Sequence, residues 1–104
     1  MFERIVLVKL NEEHSTDAGR EEFLQKSSEI LSAIPGVRSC HVGGPADEAS
    51  AASWDVIMRL SFDSTDDIES YRVHPTHSDY LETFMAPRAA VKKVWNFAMR
   101  GEQQ

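Results

Sequence analysis

A run of alternating apolar residues in the middle of the chain constrains its fold most. Five large apolar side chains occupy every second position from residue 54 to residue 62: Trp54, Val56, Met58, Leu60 and Phe62. Because successive side chains of a β-strand point to opposite faces of a sheet, this pattern predicts a strand with one buried face. The chain must therefore build a sheet and cover one side of it.

Three other segments have the apolar and β-branched composition of strands, namely residues 2–10, 37–42 and 91–97. Between the first two, apolar residues recur at helical spacing after a cap among residues 15–17, and Pro35-Gly36 predicts the end of that helix. Residues 43–53 predict a flexible connection because they are largely Gly, Pro, Ala, Ser and acidic. Trp95 and Phe97 in the last strand are expected in the core.

The segment from Tyr71 to His77 predicts a helix break. A helix should begin at Ser64, which is followed by acids in the pattern of a helix start. Pro75 lacks a backbone N–H and disfavours helical geometry at the preceding residue, so this helix should stop there. Proline suits the first position of a new helix, which places His77 in its first turn.

Both faces of the predicted sheet carry apolar residues, but the helices can cover only one face. Ile5 and Leu7 point away from the other apolar residues of the first strand, and we expect Ile57 and Val94 to join them on that second face. Exposed apolar patches of more than a few hundred Å² are uncommon on monomers. We therefore predict a homodimer joined through its sheets.

Composition excludes several classes of protein. With 104 residues the chain forms one domain, and no run of 18 apolar residues predicts a membrane-spanning helix. Seventeen acidic and eleven basic residues give a net charge of -6, which disfavours nucleic acid and anionic membranes as partners. Cys40 is the only cysteine, so no internal disulfide forms, and with no export signal at its start the chain is expected in the cytoplasm.

The chain resembles the stress responsive A/B barrel family, also called Dabb, along nearly its whole length. Four segments carry the resemblance by their order and spacing: Ile5 to Leu10, Ile34 to Val37, Tyr71 to His77 and Val94 to Phe97. The resemblance implies a ferredoxin-like α+β fold, a four-stranded antiparallel sheet with helices on one face that dimerises into an α+β barrel. We expect a single such domain over residues 1–104, with residues 99–104 as a polar tail.

The resemblance also implies a site between the sheet and the helices. In the polyketide cyclisation known from the family, a histidine acts as general base and a tyrosine assists, and these roles fall on His77 and Tyr71. The residues expected to bind substrate are Arg4, Val6, Val8, Phe23, Leu24, His74, Leu81 and Phe84. Arg4 stands where the cyclase has a pocket histidine and could hold a ligand carboxylate. The alternative is a strand-end arginine paired with a surface acid.

Two functions from different classes fit these residues. The first is a dimeric domain that binds a small apolar or carbonyl-containing molecule without turnover. The second is a cofactor-independent cyclase-like lyase or isomerase, with His77 kept neutral by the helix dipole and acting as base. A heme-free monooxygenase of related barrels has less support. His74 and His77 could instead bond loop carbonyls while Tyr71 packs in the core. We expect no metal and no cofactor.

Overall fold

The computed structural model describes residues 1–101 as a four-stranded sheet with helices. The strands are β1 (Phe2–Leu10), β2 (Ser39–Gly43), β3 (Val56–Phe62) and β4 (Ala89–Ala98). The helices are α1 (Asp17–Ser32), α2 (Glu48–Ser53), α3 (Thr65–Arg72) and α4 (Pro75–Tyr80), followed directly by a π-helical turn (Leu81–Met85) and the short α5 (Ala86–Arg88). Of the predicted polar tail, residues 99–101 follow β4, and residues 102–104 lie outside the described residues.

The sheet has the order β2-β3-β1-β4, and every neighbouring pair is antiparallel. Facing residues of antiparallel strands project from the same face, and Val6 faces both Met58 and Val94. This face and the helices enclose the core: Val6, Val8, Leu10, Phe23, Leu31, Ile34, Val56, Met58, Leu60, Phe62, Ile68, Tyr71, Tyr80 and Met85. The predicted antiparallel sheet with helices on one face is confirmed. None of the helices over residues 1–101 is long and apolar enough to cross a membrane.

Strand β4 corrects two predictions about which side chains are buried. Val94 faces Val6 and therefore lies on the helix-covered face, so its assignment to the second face was wrong. Trp95 faces Ile5 on the opposite side of the sheet, and Trp95 and Phe97 are 46% and 50% exposed, so their assignment to the core was wrong. The segment has apolar residues at both odd and even positions, and only the pairing register decides which face each one takes.

The predicted flexible connection also contains a short helix. The Asp47 side chain accepts a hydrogen bond from the backbone N–H of Ser50 at 2.7 Å and caps α2. Alanine-rich residues after an aspartate form a helical turn readily, although none of them is buried. The turn that follows α1 is as predicted, with Gly36 at a φ of +94°, a conformation that other residues rarely adopt.

The helix break at Pro75 is confirmed. Helix α3 ends at Arg72 and α4 begins at Pro75, with His74 between them in extended conformation. The backbone N–H of Thr76 donates to Nδ1 of His74 at 3.1 Å, so this histidine caps α4. Only residues 73 and 74 lie between the two helices, so their backbone conformation sets the angle at which the helices meet. The first turn of α4 faces the sheet.

Asp55 connects three elements of the fold although it lies outside all of them. Its carboxylate is 1% exposed and accepts hydrogen bonds from the Leu10 backbone N–H at 2.8 Å, the Ser15 hydroxyl at 2.8 Å and the Arg20 guanidinium at 3.0 Å. Lys9 Nζ lies 3.6 Å away. Burial raises the pKa of Asp55, but the hydrogen bonds and nearby cations outweigh it, so the pKa is lowered overall. The ionised carboxylate therefore holds the end of β1 and the start of α1 beside β3.

Replacing Asp55 with Asn should destabilise the fold because its donors lose a charged acceptor. We expect a loss of about 2–3 kcal/mol in the free energy of unfolding at neutral pH, the size of hydrogen bonds to a charged group. Denaturant unfolding followed by circular dichroism measures it. The matched control is Asp17→Asn, because Asp17 bonds the same Arg20 at 2.7 Å from a fully exposed position and should contribute little.

Wild type and Asp55→Asn also test how the contribution of Asp55 to stability depends on pH. Because the folded-state pKa of Asp55 is below its ordinary value of 3.8, its contribution is complete above that value and is lost as the pH falls through the lowered one. The stability difference between wild type and Asp55→Asn should therefore shrink below about pH 4. An undiminished difference at about pH 2 would contradict the lowered pKa.

Candidate functional site

A cleft of about 220 Å³ lies between the helix-covered face of the sheet and the helices around the break. Its walls combine aliphatic side chains with polar groups that come from both strands and helices. The lining residues are Arg4, Val6, Leu31, Met58, Tyr71, Arg72, His77, Tyr80, Leu81, Met85, Lys92 and Val94. Five of the predicted site residues are therefore together in one cleft: Arg4, Val6, Tyr71, His77 and Leu81.

The helix break determines the protonation of His77. Nδ1 of His77 lies 3.0 Å from the backbone carbonyl oxygen of Arg72. A carbonyl can only accept a hydrogen bond, so Nδ1 carries the proton and Nε2 holds the lone pair of the neutral ring. The Arg72 carbonyl is available because Pro75 has no N–H and the N–H of Thr76 is bonded to His74.

The surroundings of His77 favour the neutral ring. Its side chain is 5% exposed, and burial is the main cause that lowers its pKa. The charges of Arg4, Lys92 and Arg72 lower the pKa further, while the hydrogen bond to the Arg72 carbonyl opposes them in part. The His77 ring is therefore mainly neutral at neutral pH, and its lone pair is on Nε2.

Tyr71 packs against His77 and keeps its proton. The two ring centroids are 4.5 Å apart, and the Phe62 ring lies 5.2 Å from Tyr71 on another side. Burial raises the pKa of Tyr71 well above its ordinary value, and the Arg4 charge offsets this only in part. A phenol of this kind donates a hydrogen bond to an oxyanion without giving up its proton.

Two polar atoms of this pair remain free for a ligand. Within residues 1–101 neither the Tyr71 hydroxyl nor Nε2 of His77 has a hydrogen-bond partner in the protein. Every fully buried polar side-chain atom in the same range does have a partner, so these two atoms must be accessible. The accessible space beside them is the cleft, which both residues line.

Arg4 lies at the other side of Tyr71. Its Cζ is 5.9 Å from the Tyr71 ring centroid, and Nη1 donates to the Asn96 side-chain oxygen at 3.1 Å. Burial lowers the pKa of Arg4 but leaves it charged at any ordinary pH. Among the described residues Arg4 forms no salt bridge, so it does not pair with a surface acid there.

The remaining predicted site residues do not line this cleft. Val8 and Phe23 are fully buried in the core, and Leu24 faces shallow depressions on the outer side of α1. His74 caps α4. The Phe84 ring stacks on Tyr80 at 5.7 Å and lies under the Arg88 guanidinium, which covers it at 4.1 Å. None of these five residues lines the cleft that contains His77.

Several lining residues were missed from the sequence. Tyr80 lines the cleft, and its hydroxyl is 2.7 Å from the buried hydroxyl of Ser27 in α1, which holds the ring in place. Met58 shares a strand face with Leu60, so its alternation with buried neighbours could have placed it there. The others depend on how helices pack and had no local signal: Leu31, Arg72, Met85, Lys92 and Val94.

No set of metal ligands occurs in the described part of the chain. Among residues 1–101 no three His, Cys, Asp or Glu side chains come together in an arrangement that could hold a metal ion. His74 and His77 are separated in function, since one caps a helix and the other bonds a helix-end carbonyl.

Solved structures resemble the chain over nearly its full length. A Dabb family protein of Mesorhizobium loti with a ferredoxin-like fold is 20% identical, with 96% of this chain and 97% of that one covered and a TM-score of 0.81. A dimeric ferredoxin-like protein of unknown function from Thermobifida fusca is 24% identical, with 94% and 90% covered and a TM-score of 0.77. Hydroxynitrile lyase from Passiflora edulis is 13% identical, with 99% and 96% covered and a TM-score of 0.79.

At these identities the solved structures establish the fold alone, which is ferredoxin-like. A comparison with curated proteins found no match. The profile of the family described as the stress responsive A/B barrel domain matches residues 2–93, which confirms the resemblance. Three of the four segments that carry it lie within the match, and Val94 to Phe97 lie beyond its end. The chain therefore belongs to the stress responsive A/B barrel (Dabb) domain family.

Proposed function

We propose that the protein is a homodimeric domain that binds a small apolar or carbonyl-containing molecule in the cleft between sheet and helices. The observation that carries the proposal is the free hydrogen-bonding pair, Nε2 of His77 and the Tyr71 hydroxyl, at the wall of a cleft in which half of the lining residues are apolar. An apolar pocket with a few convergent polar groups is the usual form of a small-molecule site. Its volume of about 220 Å³ is below the roughly 300–1,000 Å³ of pockets for drug-sized ligands, so the ligand is small.

A second function, cofactor-independent lyase or isomerase chemistry, is favoured by the fixed tautomer of His77. Its free Nε2 can accept a proton from a carbon next to a carbonyl, which leaves an enolate. The Tyr71 hydroxyl can donate to the enolate oxygen, and the imidazolium can return the proton to carbon, so protons balance. The fold is shared with the hydroxynitrile lyase from Passiflora edulis.

The second face of the sheet supports the homodimer. It carries Ile5 and Leu7 on β1, Ile57 on β3, and exposed Trp95 and Phe97 on β4. Trp95 faces Ile5 and Leu7 faces Ile57 across neighbouring strands. Phe97 faces Glu3, which pairs with Arg59, so this face combines apolar side chains with an ion pair. A second copy of the chain, sheet against sheet, would cover it and form the α+β barrel. The Thermobifida fusca protein of the same fold is dimeric.

The chain then forms one domain over residues 1–104 and resides in the cytoplasm. The profile match over residues 2–93 supports the single domain. Cys40, the single cysteine, is a free and half-buried thiol, which is typical of proteins in reducing compartments.

Binding in the cleft is tested with cyclohexanone, a small ketone, and ¹⁵N-labelled protein. We expect its chemical-shift changes to fall on residues that line the cleft. Val94→Phe should abolish them, because the larger ring fills the cleft that Val94 lines. The matched control is Val42→Phe on β2, where the half-buried side chain borders a different depression. Equal shifts in both variants would place binding elsewhere.

Acid–base chemistry is tested by the exchange of the α-protons of cyclohexanone in D₂O, followed by ¹H NMR. His77→Gln should slow the protein-catalysed exchange by about 10²–10⁴-fold because it removes the base. Tyr71→Phe should slow it by about 10²-fold because it removes one donor to the enolate oxygen. The control is His41→Gln, since His41 is exposed on β2 and outside the cleft. Unchanged rates in both site variants would contradict this chemistry.

The pH profile of that exchange reports His77. The pKa of His77 is below its ordinary value of 6.5, so most of the base is neutral at pH 7, and the midpoint of the fall in rate should lie below pH 6.5, where the ring takes up a proton. The charged and titratable groups around it are Arg4, Lys92, Arg72 and Tyr71. A fall centred above pH 6.5 would contradict the neutral, buried imidazole.

The homodimer is tested by light scattering coupled to size-exclusion chromatography. We expect wild type to elute with twice the mass of one chain at micromolar concentration. Trp95→Glu should give a single-chain mass, because it places a charge in the proposed interface. Val73→Glu is the control, since Val73 is also apolar and 59% exposed but lies by the helices. A single-chain mass for wild type would overturn the homodimer.

A further inference from the structure

The cleft is cationic within an acidic protein. Three basic residues line it, Arg4, Arg72 and Lys92, and none of its lining residues is Asp or Glu. The whole chain has a net charge of -6, so this concentration of positive charge departs from the average surface. All three cations lie close enough to His77 to lower its pKa.

Two of these cations lack an acidic partner. Glu69 neutralises Arg72 with two hydrogen bonds of 2.7 and 3.0 Å on the exposed surface of α3. Arg4 bonds only the neutral side chain of Asn96, and neither Arg4 nor Lys92 forms a salt bridge with any residue from 1 to 101. The uncompensated charge of the cleft therefore lies on Arg4 and Lys92.

Without a ligand, the position of Arg4 makes the folded protein less stable. A guanidinium that is half-buried and bonded to one amide has lost much of its hydration without gaining a salt bridge. Among residues 1–101 no acidic side chain bonds Arg4; the charge of the nearby Glu69 raises the pKa of Arg4, but the Glu69 carboxylate bonds Arg72. An unpaired cation that faces a ligand cleft is compensated when an anionic ligand binds.

We propose that the ligand of this cleft is a small carbonyl compound that carries a carboxylate, held by Arg4 with Lys92 at the entrance. This inference rests on the proposed binding function and adds the charge of the ligand. The planar guanidinium of Arg4 suits the two oxygens of a carboxylate, while the exposed ammonium of Lys92 attracts an anion from solution. The ligand carbonyl then faces the Tyr71 hydroxyl.

The strand register supports separate roles for the two cations. Arg4 faces Asn96 and Lys92 faces Val8, so both lie on the helix-covered face of neighbouring strands. Along β4 the two positions are four residues apart, about 13 Å at the rise of an extended strand. They therefore occupy opposite ends of the cleft, with Val6 and Val94 between them.

The test compares 5-oxohexanoate with 5-oxohexanamide, which differ in charge and share the same ketone. Dissociation constants are measured at pH 7 by ¹⁵N chemical-shift titration of the full chain. We expect the acid to bind at least about tenfold more tightly than the amide. Added NaCl should weaken the binding of the acid and leave the binding of the amide unchanged, because salt screens the attraction of the exposed cation.

The variants assign this preference to residues. Arg4→Gln should remove most of the preference for the acid, and Arg4→Lys should retain part of it because it retains the charge. Lys92→Gln should cause a smaller loss and remove most of the salt dependence. Lys26→Gln and Arg38→Gln remove a charge from exposed positions outside the cleft and should leave both constants unchanged.

The outcomes separate the two proposals. If the amide binds in the cleft as tightly as the acid, the proposal that the ligand is an anion is overturned, while the proposed binding function stands. If neither compound nor cyclohexanone binds in the cleft, the binding function fails and the ligand charge fails with it.

Stability is the second readout for Arg4. Arg4→Gln should not lower the melting temperature in the absence of ligand, because it removes an unpaired and partly desolvated charge. A stable Arg4→Gln variant that keeps the tenfold preference would overturn the role of Arg4.

Discussion

The buried carboxylate of Asp55 is the interaction on which the geometry of the molecule depends most. It lies just before β3 and bonds the end of β1, the following loop and the first turns of α1, so it fixes the position of that helix over the sheet. Helix α1 in turn supplies Leu31 to the cleft and Ser27 to the hydroxyl of Tyr80. Because the carboxylate is ionised and surrounded by donors, its geometry is more restrictive than apolar packing at the same place.

The helix break acts on both architecture and chemistry. A continuous helix through residues 65–80 would bond the carbonyl of Arg72 to the N–H of Thr76, and His77 would then have no reason to hold a proton on Nδ1. The proline removes one donor and the cap by His74 diverts another, so the carbonyl accepts from the imidazole. The same feature that directs the chain back over the sheet thus leaves Nε2 free to meet a ligand.

Local signals predicted most of the fold and the centre of the candidate site. Strand alternation, helix caps and the proline break act within a few residues, and His77 and Tyr71 follow directly from the break. The face taken by Trp95 and Val94 could not be predicted, because a segment that is apolar at both parities is oriented only by its register with β1. The positions of Lys92 and Met85 in the cleft could not be predicted either, since they depend on how β4 and the π-helical turn pack. Phe23 and Phe84 were placed in the site, but Phe23 is buried in the core and the half-buried Phe84 ring packs against it, 5.2 Å away.

The positions of the two tryptophans determine which part of the protein its tryptophan fluorescence reports. Trp95 is on the uncovered face of the sheet, and Trp54 borders a depression with Leu7 and Ile57 on that same side. Neither side chain lines the cleft that contains His77. Intrinsic tryptophan emission of this protein therefore reports the environment of the sheet surface, while absorbance and emission from the cleft come from tyrosine alone.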